Sequence, residues 1–216
     1  DYFEGQKDLE NKIIRAVGEA KERFNEDALR MLRAVRFAVV LGFRIELKTL
    51  EAIKRQHNLL QVISKERVRD EFIKIINACD ADLGLEILRE TELLKFIVPE
   101  SLEGVDVGQN KHHIYNVWEH NKRALKYACD QNYSLEVRLA SLLHDVGKPR
   151  TKRGDGPDST FYNHEVVGAQ MTAKILDRLK FPKDQTEKVI KLVRYHLFYY
   201  NVGEVTESSV RRLVAN

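Results

Sequence analysis

Apolar side chains recur every three to four positions along most of the 216-residue chain, and no stretch alternates convincingly with a period of two. This spacing is typical of amphipathic helices. Helices are predicted in the first half at 26–41, 46–60, 64–78 and 83–94. In the second half they are predicted at about 113–130, 134–145, 162–180 and 184–200, with a last one after Thr206. Gly42 is a typical residue for the end of the first of these helices, and Ser64 is a typical N-cap for the third. The sequence predicts an all-α fold.

Two segments rich in glycine and proline interrupt the helical pattern. They lie at 99–110 and 148–159, and both are predicted as loops. The first separates the chain into two helical parts. We therefore expect parts at 1–99 and 113–216, joined by a linker at 100–112.

Composition narrows the class of protein. Charged residues make up 32% of the chain and hydrophobic ones 43%, which excludes collagen-like and largely disordered chains. The longest apolar runs are far shorter than the ~18 residues of a membrane span, so no membrane partner is expected. The two cysteines form no CxxC pair, which indicates a reducing, cytoplasmic location. The first residues contain neither an initiator methionine nor a signal peptide, so we expect the chain to begin inside a longer protein.

The net charge of +3 hides an uneven distribution. Residues 30–69 contain ten lysines and arginines against three carboxylates, and the rest of the chain is slightly acidic. A basic stripe of this kind indicates a polyanionic partner such as nucleic acid. It is equally explained as the solvated face of a helix, and charge alone does not decide between the two.

Six of the seven histidines lie between positions 112 and 196. The informative ones, with one adjacent carboxylate, are His120, His144, Asp145, His164 and His196. A single histidine on an apolar face is more often a core residue, but four on four predicted helices are much less easily accidental. Imidazole and carboxylate ligands suit a divalent transition metal such as Mn, Fe, Ni, Co or Zn. Such a metal activates water and polarises a phosphoryl oxygen, and Lys148 could supply a cation for a substrate phosphate.

The string His-Asp-Val-Gly-Lys and the surrounding histidines resemble the HD phosphohydrolase superfamily, over roughly residues 112–200. The resemblance implies a helical domain whose metal ligands are His120, His144 and Asp145, joined in some members by His164 and His196. His144, Asp145 and Lys148 are the catalytic candidates for phosphoester hydrolysis. The superfamily usually closes its site with a later aspartate, and this chain has none after position 184. The sequence is therefore compatible with a complete metal site and with an altered one.

The segment 23–37 carries a row of charged residues. Asp27 and Arg30 stand three positions apart and are expected on one helix face, and Arg33 and Arg36 extend the row. The simpler interpretation is an ion pair beside a solvated arginine face. In the other, a carboxylate acceptor beside a guanidinium donor complements the Watson–Crick edges of cytosine and adenine and clashes with uracil and guanine.

This segment and its lead-in resemble the bacterial tRNA nucleotidyltransferase (CCA-adding enzyme) and poly(A) polymerase family. The matching positions are Gly5, Asp8-Leu9, Ile14-Arg15, Val17-Gly18, Arg23-Phe24 and 26–37. The resemblance implies that Asp27 and Arg30 select the incoming CTP or ATP and that Arg33 aids nucleotide or phosphate contacts. It assigns 1–99 to the end of the catalytic head and to a neck that faces the 3′ end of tRNA or another RNA. RNA contacts are then expected at Arg36, Arg55, Lys65 and Arg69.

The family's catalytic head is a small β-sheet with a Gly-Ser loop and an Asp-x-Asp pair that binds Mg²⁺ with ATP or CTP. No such loop or sheet pattern is present here, and Asp80 and Asp82 lie in a helical context. Nucleotidyl transfer is therefore not expected from these residues alone. The leading hypothesis is the neck and HD domain of an RNA 3′-end nucleotidyltransferase. The alternatives are a self-sufficient HD phosphohydrolase and a non-catalytic RNA-binding module with a degenerate HD site.

Overall fold

The computed structural model describes residues 1–109 and 114–197, and this part of the chain is predominantly helical. The α-helices, α1 to α11 in chain order, are Gly5–Glu10, Ala20–Glu26, Leu29–Leu41, Leu47–Gln56, Lys65–Ile76, Ala81–Glu90, Val117–Asp130, Leu135–Leu143, Lys148–Thr151, His164–Arg178 and Lys183–Arg194. Short 3₁₀ helices lie at His57–Val62, Leu93–Phe96, Pro99–Gly104 and Gly156–Asp158. The predicted all-α fold is confirmed, and the helix predicted after Thr206 lies outside the described residues. No described helix is long and apolar enough to cross a membrane.

Two very short strands depart from the helical pattern, β1 (Ile13–Ile14) and β2 (Arg44–Ile45). They pair in parallel, with Ile13 opposite Arg44. The amide of Arg44 donates to the carbonyl oxygen of Lys12 at 2.9 Å. Strands of two residues are too short to show a period of two, so the sequence pattern does not predict them. The pairing fixes the N-terminal segment beside the end of α3.

The helix predicted at 26–41 corresponds to α3, which begins three residues later, at Leu29, and is separated from α2 at Asp27. Asp27 has extended backbone angles, φ −152° and ψ 103°. Its carboxylate accepts a hydrogen bond from the amide of Leu29 at 3.1 Å, which satisfies a free N–H group at the start of α3. The predicted start at position 26 is wrong because Asp27 caps α3 from outside the helix. The predicted end at Gly42 is confirmed, with φ +65°.

Part of the segment predicted as a loop at 148–159 is helical. α9 forms a short turn with Pro149 near its start, where a missing N–H group costs no hydrogen bond. Further on, Arg153 and Thr160 exchange backbone hydrogen bonds of 2.9 and 3.0 Å. These bonds close the segment into a turn that leads from α9 into α10.

One apolar core runs through both halves of the described chain, from Phe24 in α2 to Val193 in α11. α6 packs on α7 and α5 contacts α8, so the two helical parts share a continuous interior. The segment predicted as a linker includes the end of the 3₁₀ helix Pro99–Gly104, which packs against α7. The domain limits 1–99, 100–112 and 113–216 stay predictions.

A buried arginine ties α8 to the end of α5. Arg138 is 6% exposed, and its guanidinium donates to the carbonyl oxygens of Tyr133 and Asn77, both at 2.9 Å. The carbonyl oxygen of Ile76 is a further acceptor at 3.4 Å. Carbonyl groups at a helix C-terminus lack partners within the helix and carry partial negative charge. Arg138 therefore satisfies this helix end and joins the first helical part to the second.

Candidate functional site

A cavity of about 1010 Å³ opens in the C-terminal part of the chain. All the predicted metal ligands line it: His120, His144, Asp145, His164 and His196. Asp145 is 2% exposed, and the imidazoles surround its carboxylate. The structure therefore brings together every residue of the predicted metal site.

The ligand side chains come from different helices that meet at this cavity. His120 lies near the start of α7, and His144 directly follows α8. His164 is the first residue of α10, and His196 follows the end of α11. Asp145 comes next to His144, where the chain turns toward α9. The site is thus assembled from four helices that the sequence pattern predicts only separately.

The close approach of this turn to α10 depends on Gly147. A Cβ atom at position 147 would lie 2.3 Å from the carbonyl oxygen of His164 and 2.6 Å from the amide nitrogen of Gly168. Both are backbone atoms, which cannot move without moving the helix. A residue without a side chain therefore lets the start of α10 bring His164 within reach of Asp145.

Asp145 lies between two pairs of histidines. Its Oδ2 atom is 3.3 Å from Nε2 of both His120 and His144. Its Oδ1 atom is 3.3 Å from Nε2 of His164 and 3.6 Å from Nε2 of His196. Two sets of three potential ligand atoms therefore share Asp145, and within each set these atoms lie within 4.8 Å of one another. The geometry offers each of one or two ions a pair of imidazoles and a carboxylate oxygen.

The orientation of the imidazoles fits a metal ion. Nδ1 of His164 lies 2.7 Å from the Phe161 carbonyl oxygen, and Nδ1 of His196 lies 2.7 Å from the Val193 carbonyl oxygen. In the neutral ring Nδ1–H donates to that carbonyl, which leaves Nε2 with a free lone pair. The two Nε2 atoms face each other at 3.3 Å. With this tautomer, a shared cation would relieve the repulsion between the two lone pairs.

The other histidine pair follows the same pattern. Nδ1 of His144 lies 2.9 Å from the Ser141 carbonyl oxygen, and its Nε2 is 3.0 Å from Nε2 of His120. Burial lowers the pKa of His196, which favours the neutral ring that metal binding requires. The donor set and its backbone contacts therefore fit a divalent transition metal.

Lys148 also lines the cavity, but its ammonium group is already paired. Nζ lies 2.8 Å from Oδ2 of Asp145 and 2.6 Å from Oε1 of Gln109. Burial disfavours the charged Asp145 carboxylate, yet contacts with His144, His164 and Lys148 hold its pKa well below the usual value. In this structure Lys148 is the counter-ion of Asp145, and its contact with a substrate phosphate stays a prediction.

In the neck, Asp27 and Arg30 do not form the predicted pair on one helix face. Oδ2 of Asp27 accepts a hydrogen bond from the guanidinium of Arg67 on α5 at 2.8 Å, and Arg30 pairs with Glu26 at 2.7 Å. The expected shared face is wrong because Asp27 precedes α3. Burial opposes the charge of Asp27, but hydrogen bonds from Arg67 and the Leu29 amide outweigh it, so the pKa of Asp27 is lowered.

A smaller cavity, of about 250 Å³, lies beside Arg30 and Arg33. Arg23 and the ring of Phe37 also line it. Arg33 is exposed, and its guanidinium carbon lies 5.9 Å from the centre of the Phe37 ring. Guanidinium groups bind phosphates, and aromatic rings stack on bases. Two of the three predicted nucleotide residues therefore border a space of suitable chemistry.

The predicted RNA contacts divide into two groups. Arg36 donates to both carboxylate oxygens of Glu71, at 3.0 and 2.8 Å, and its side chain is 13% exposed. Arg69 pairs with Asp70 and donates to the carbonyl oxygen of Lys180, just after α10. These two arginines already have partners within the protein, which favours Arg55 and Lys65 over them as RNA contacts, and their own assignment to RNA stays a prediction. The side chain of Arg55 is 81% exposed, and Lys65 is half-buried. RNA contact by these two residues stays a prediction.

Two residues at these sites were missed by the sequence reasoning. Gln109 lies in a segment whose composition predicts a linker, and only its contact with Lys148 reveals it. Arg67 is one of ten cations in the basic stripe, and nothing in the pattern connects it with Asp27, forty positions earlier. Neither residue carries a local signal that could have identified it.

Two protein families match this chain. One, described as "Probable RNA and SrmB- binding site of polymerase A", matches residues 42–103, and the HD domain matches residues 117–213. The two matches follow the order of the neck and the histidine-rich part.

Complete sequences of similar proteins extend the comparison. The chain is 36% identical to the A-adding tRNA nucleotidyltransferase of Deinococcus radiodurans, over 91% of this chain and 47% of that protein. It is 33% identical to the multifunctional CCA protein of Acinetobacter baumannii, over 99% of this chain and 52% of that protein. The chain therefore spans about half the length of the curated relatives it matches.

A solved structure shows the same arrangement of helices. The crystal structure of the Bacillus stearothermophilus CCA-adding enzyme in complex with CTP is similar with a TM-score of 0.60 and 25% identity. The similarity covers 99% of this chain and 45% of that chain.

Proposed function

Since the chain belongs to the tRNA nucleotidyltransferase and poly(A) polymerase family, we propose that it forms the base-selecting and RNA-binding part of an enzyme that extends the 3′ end of tRNA or another RNA. The observation that carries this proposal is the similarity to A-adding and CCA-adding relatives over at least nine-tenths of the chain. The only sheet among the described residues consists of β1 and β2. Nucleotidyl transfer with Mg²⁺ and ATP or CTP therefore requires residues outside this chain.

In this proposal Asp27 and Arg30 read the base and Arg33 contacts the nucleotide. The lowered pKa of Asp27 keeps its carboxylate an acceptor at neutral pH. Arg67 holds that carboxylate in position at 2.8 Å. An ionised acceptor near a guanidinium donor accepts cytosine and adenine and rejects uracil and guanine.

The test uses the full-length protein that contains this chain. Asp27→Ala is expected to reduce discrimination for CTP and ATP over UTP and GTP, because a lost bidentate contact costs ~1–3 kcal/mol. The matched control is Asp155→Ala, which removes an exposed carboxylate on the turn between α9 and α10. Unchanged nucleotide preference in a folded Asp27→Ala enzyme would contradict the assignment.

The histidine cluster favours a second activity, and we propose a metal-dependent phosphohydrolase on cyclic or terminal phosphates of nucleotides or RNA. His120, His144 and Asp145 would hold one ion, and Asp145 with His164 and His196 a second. A bound ion such as Mn²⁺ or Ni²⁺ supplies activated water and polarises a phosphoryl oxygen. The chain's own part is to fix the ring tautomer: the carbonyl contacts at Nδ1 of His144, His164 and His196 direct the Nε2 lone pairs toward Asp145. The cytoplasmic location stays a prediction from cysteine usage.

Hydrolysis by the purified chain tests this second activity. Opening of a cyclic nucleotide by water, which breaks one ester bond and gives the nucleoside monophosphate, is expected with Mn²⁺ or Ni²⁺ and not with a chelator present. Asp145→Asn, which keeps the shape of the side chain and removes its charge, is expected to abolish the reaction, and Asp155→Asn is expected to leave it unchanged. Activity that survives in Asp145→Asn would contradict the site, whereas metal binding without hydrolysis would contradict the proposed phosphohydrolase activity and leave the metal site intact.

A further inference from the structure

A buried polar link connects the metal site to the residues just before α7. Nζ of Lys148 contacts both Oδ2 of Asp145 and Oε1 of Gln109, at 2.8 and 2.6 Å. The amide nitrogen of the Gln109 side chain donates to the Tyr115 carbonyl oxygen at 3.1 Å. Lys148 is 7% exposed and Gln109 8% exposed. Neither side chain is among the predicted ligands.

We propose that Lys148 is an exchangeable counter-ion of Asp145: a divalent cation displaces its ammonium group from Oδ2, and Gln109 then retains that group in the cavity. The inference rests on the proposed metal site and is independent of whether the site hydrolyses a phosphoester. In this proposal Gln109 is a positioning residue: it holds the ammonium group of Lys148, which none of the predicted metal ligands would do after the exchange.

The need for a counter-ion follows from the burial of Asp145. A carboxylate that is 2% exposed requires a positive partner or hydrogen-bond donors, because isolated buried charges are strongly unfavourable. Lys148 meets that need at 2.8 Å. A divalent cation on Oδ2 would meet it as well, but it would then lie close to the ammonium group. Two positive charges in a poorly solvated cavity repel each other, so the two partners compete for the same oxygen.

Gln109 gives the displaced ammonium group an acceptor that is already in place. Its Oε1 contacts Nζ before any exchange, so Lys148 can leave Asp145 without losing its second hydrogen bond. Nζ also lies 5.6 Å from the centre of the Phe161 ring, a further favourable contact for a cation. The exchange therefore requires a small movement of one side chain rather than its expulsion into water.

This arrangement makes cation affinity depend on the charge at position 109. A carboxylate there attracts the ammonium group away from Asp145 and favours the cation. An apolar side chain of similar size removes the acceptor and leaves Lys148 bound to Asp145. A role limited to packing would give no such opposite effects, because both substitutions disturb the same Tyr115 contact.

The experiment is a calorimetric titration of the whole chain with Mn²⁺. Lys148→Met and Gln109→Glu are each expected to bind Mn²⁺ more tightly than the wild type, by roughly tenfold or more, and Gln109→Leu more weakly by a similar factor. The control is Lys152→Met, which removes an ammonium group that pairs with Asp155 at 3.6 Å outside the cavity, and it should match the wild type. The rise in unfolding temperature on adding Mn²⁺ should follow the same order.

The outcomes separate this inference from the proposed metal site. Mn²⁺ binding with equal affinity in the wild type, Lys148→Met and Gln109→Glu would overturn the inference and leave the metal site intact. Weaker binding in both Gln109→Glu and Gln109→Leu would also overturn it, because Gln109 would then be only structural. Absence of binding in every variant would overturn both. If Lys148→Met does not fold, the two Gln109 variants, which retain the lysine, decide the question.

Discussion

Replacing Gly147 by alanine is expected to push α10 away from the metal site. The new Cβ atom would lie 2.3 Å from the His164 carbonyl oxygen, and ordinary contact begins at 3.4 Å, so the start of α10 must shift by about 1 Å. The φ angle of Gly147 is −80°, which alanine adopts without strain. Space alone therefore determines the effect of this substitution.

The magnitude follows from the rigidity of the obstructing atoms. Overpacking a well-packed interior costs ~1–3 kcal/mol. For a domain of about this size each kcal/mol lowers Tm by roughly 2–4 °C, so a decrease of about 2–12 °C is expected in thermal unfolding. A shift of the helix start also moves Nε2 of His164 relative to Oδ1 of Asp145, now 3.3 Å away. Mn²⁺ affinity, measured by titration, should therefore fall together with Tm.

Gly168 provides the control on the other side of the same contact. A Cβ atom there would lie 3.5 Å from its nearest neighbours, which is ordinary van der Waals contact. Because Gly168 is inside α10, alanine should be neutral or stabilise the helix by up to about 1 kcal/mol. A Gly147→Ala protein with wild-type Tm and Mn²⁺ affinity would refute the reasoning, and so would equal damage from Gly168→Ala.

Three further predictions concern the neck and its junction with the C-terminal helices. Arg138→Met leaves buried carbonyl groups at the end of α5 without donors and should lower the free energy of unfolding by about 2–4 kcal/mol in urea denaturation; a loss below ~1 kcal/mol would contradict the role of this side chain. Folding lowers the pKa of Asp27, so its ionised carboxylate stabilises the folded chain at pH values above the usual pKa of the group. In acid unfolding, the stability advantage of the wild type over Asp27→Asn should therefore disappear as the pH falls through the lowered pKa. An advantage that stays constant with pH would contradict this prediction. Arg55→Ala should weaken tRNA binding and reduce the slope of log affinity against log salt by ~1 in filter binding, whereas Arg36→Ala should leave the slope unchanged; equal slopes in both variants would contradict the division of the basic stripe.

The positions of most helices could be predicted because the side chains that face the core are apolar and recur with the helical period. The start of α3 could not. Phe24, Ala28 and Leu32 keep a spacing of four across the break, so the apolar pattern continues through it and does not mark the end of α2. What ends α2 is the side chain of Asp27, which caps α3 and pairs with Arg67. A partner forty positions away leaves no trace in a local pattern.

The candidate sites show the same limit. The resemblance of the His144-Asp145 string to the HD superfamily predicted that these two side chains share a site with His120, His164 and His196, and all five line one cavity. The charge pattern could not show that Arg36 is paired within the protein and that Arg55 is exposed, because the sequence identifies a cation but not its partner. Glu71 lies 35 positions after Arg36 and is brought to it only by the packing of α5 on α3. Residue type therefore predicts what a side chain can bind, and the fold decides whether it is free to do so.

α5 connects the two sites through contacts at both of its ends. Near its start Arg67 holds the carboxylate of Asp27, and at its end the carbonyl groups accept from Arg138. Arg138 lies on α8, and the chain leaves α8 directly into His144 and Asp145. A 12-residue helix spans roughly 18 Å as one rigid element, so a displacement of either end reaches the other without passing through a flexible segment. Rigid connection alone does not make the sites communicate, because coupling requires an element with two arrangements that both sites favour differently. The Arg67–Asp27 pair joins the proposed base-reading carboxylate to α5, so any effect of nucleotide binding on the position of α5 would pass through this contact.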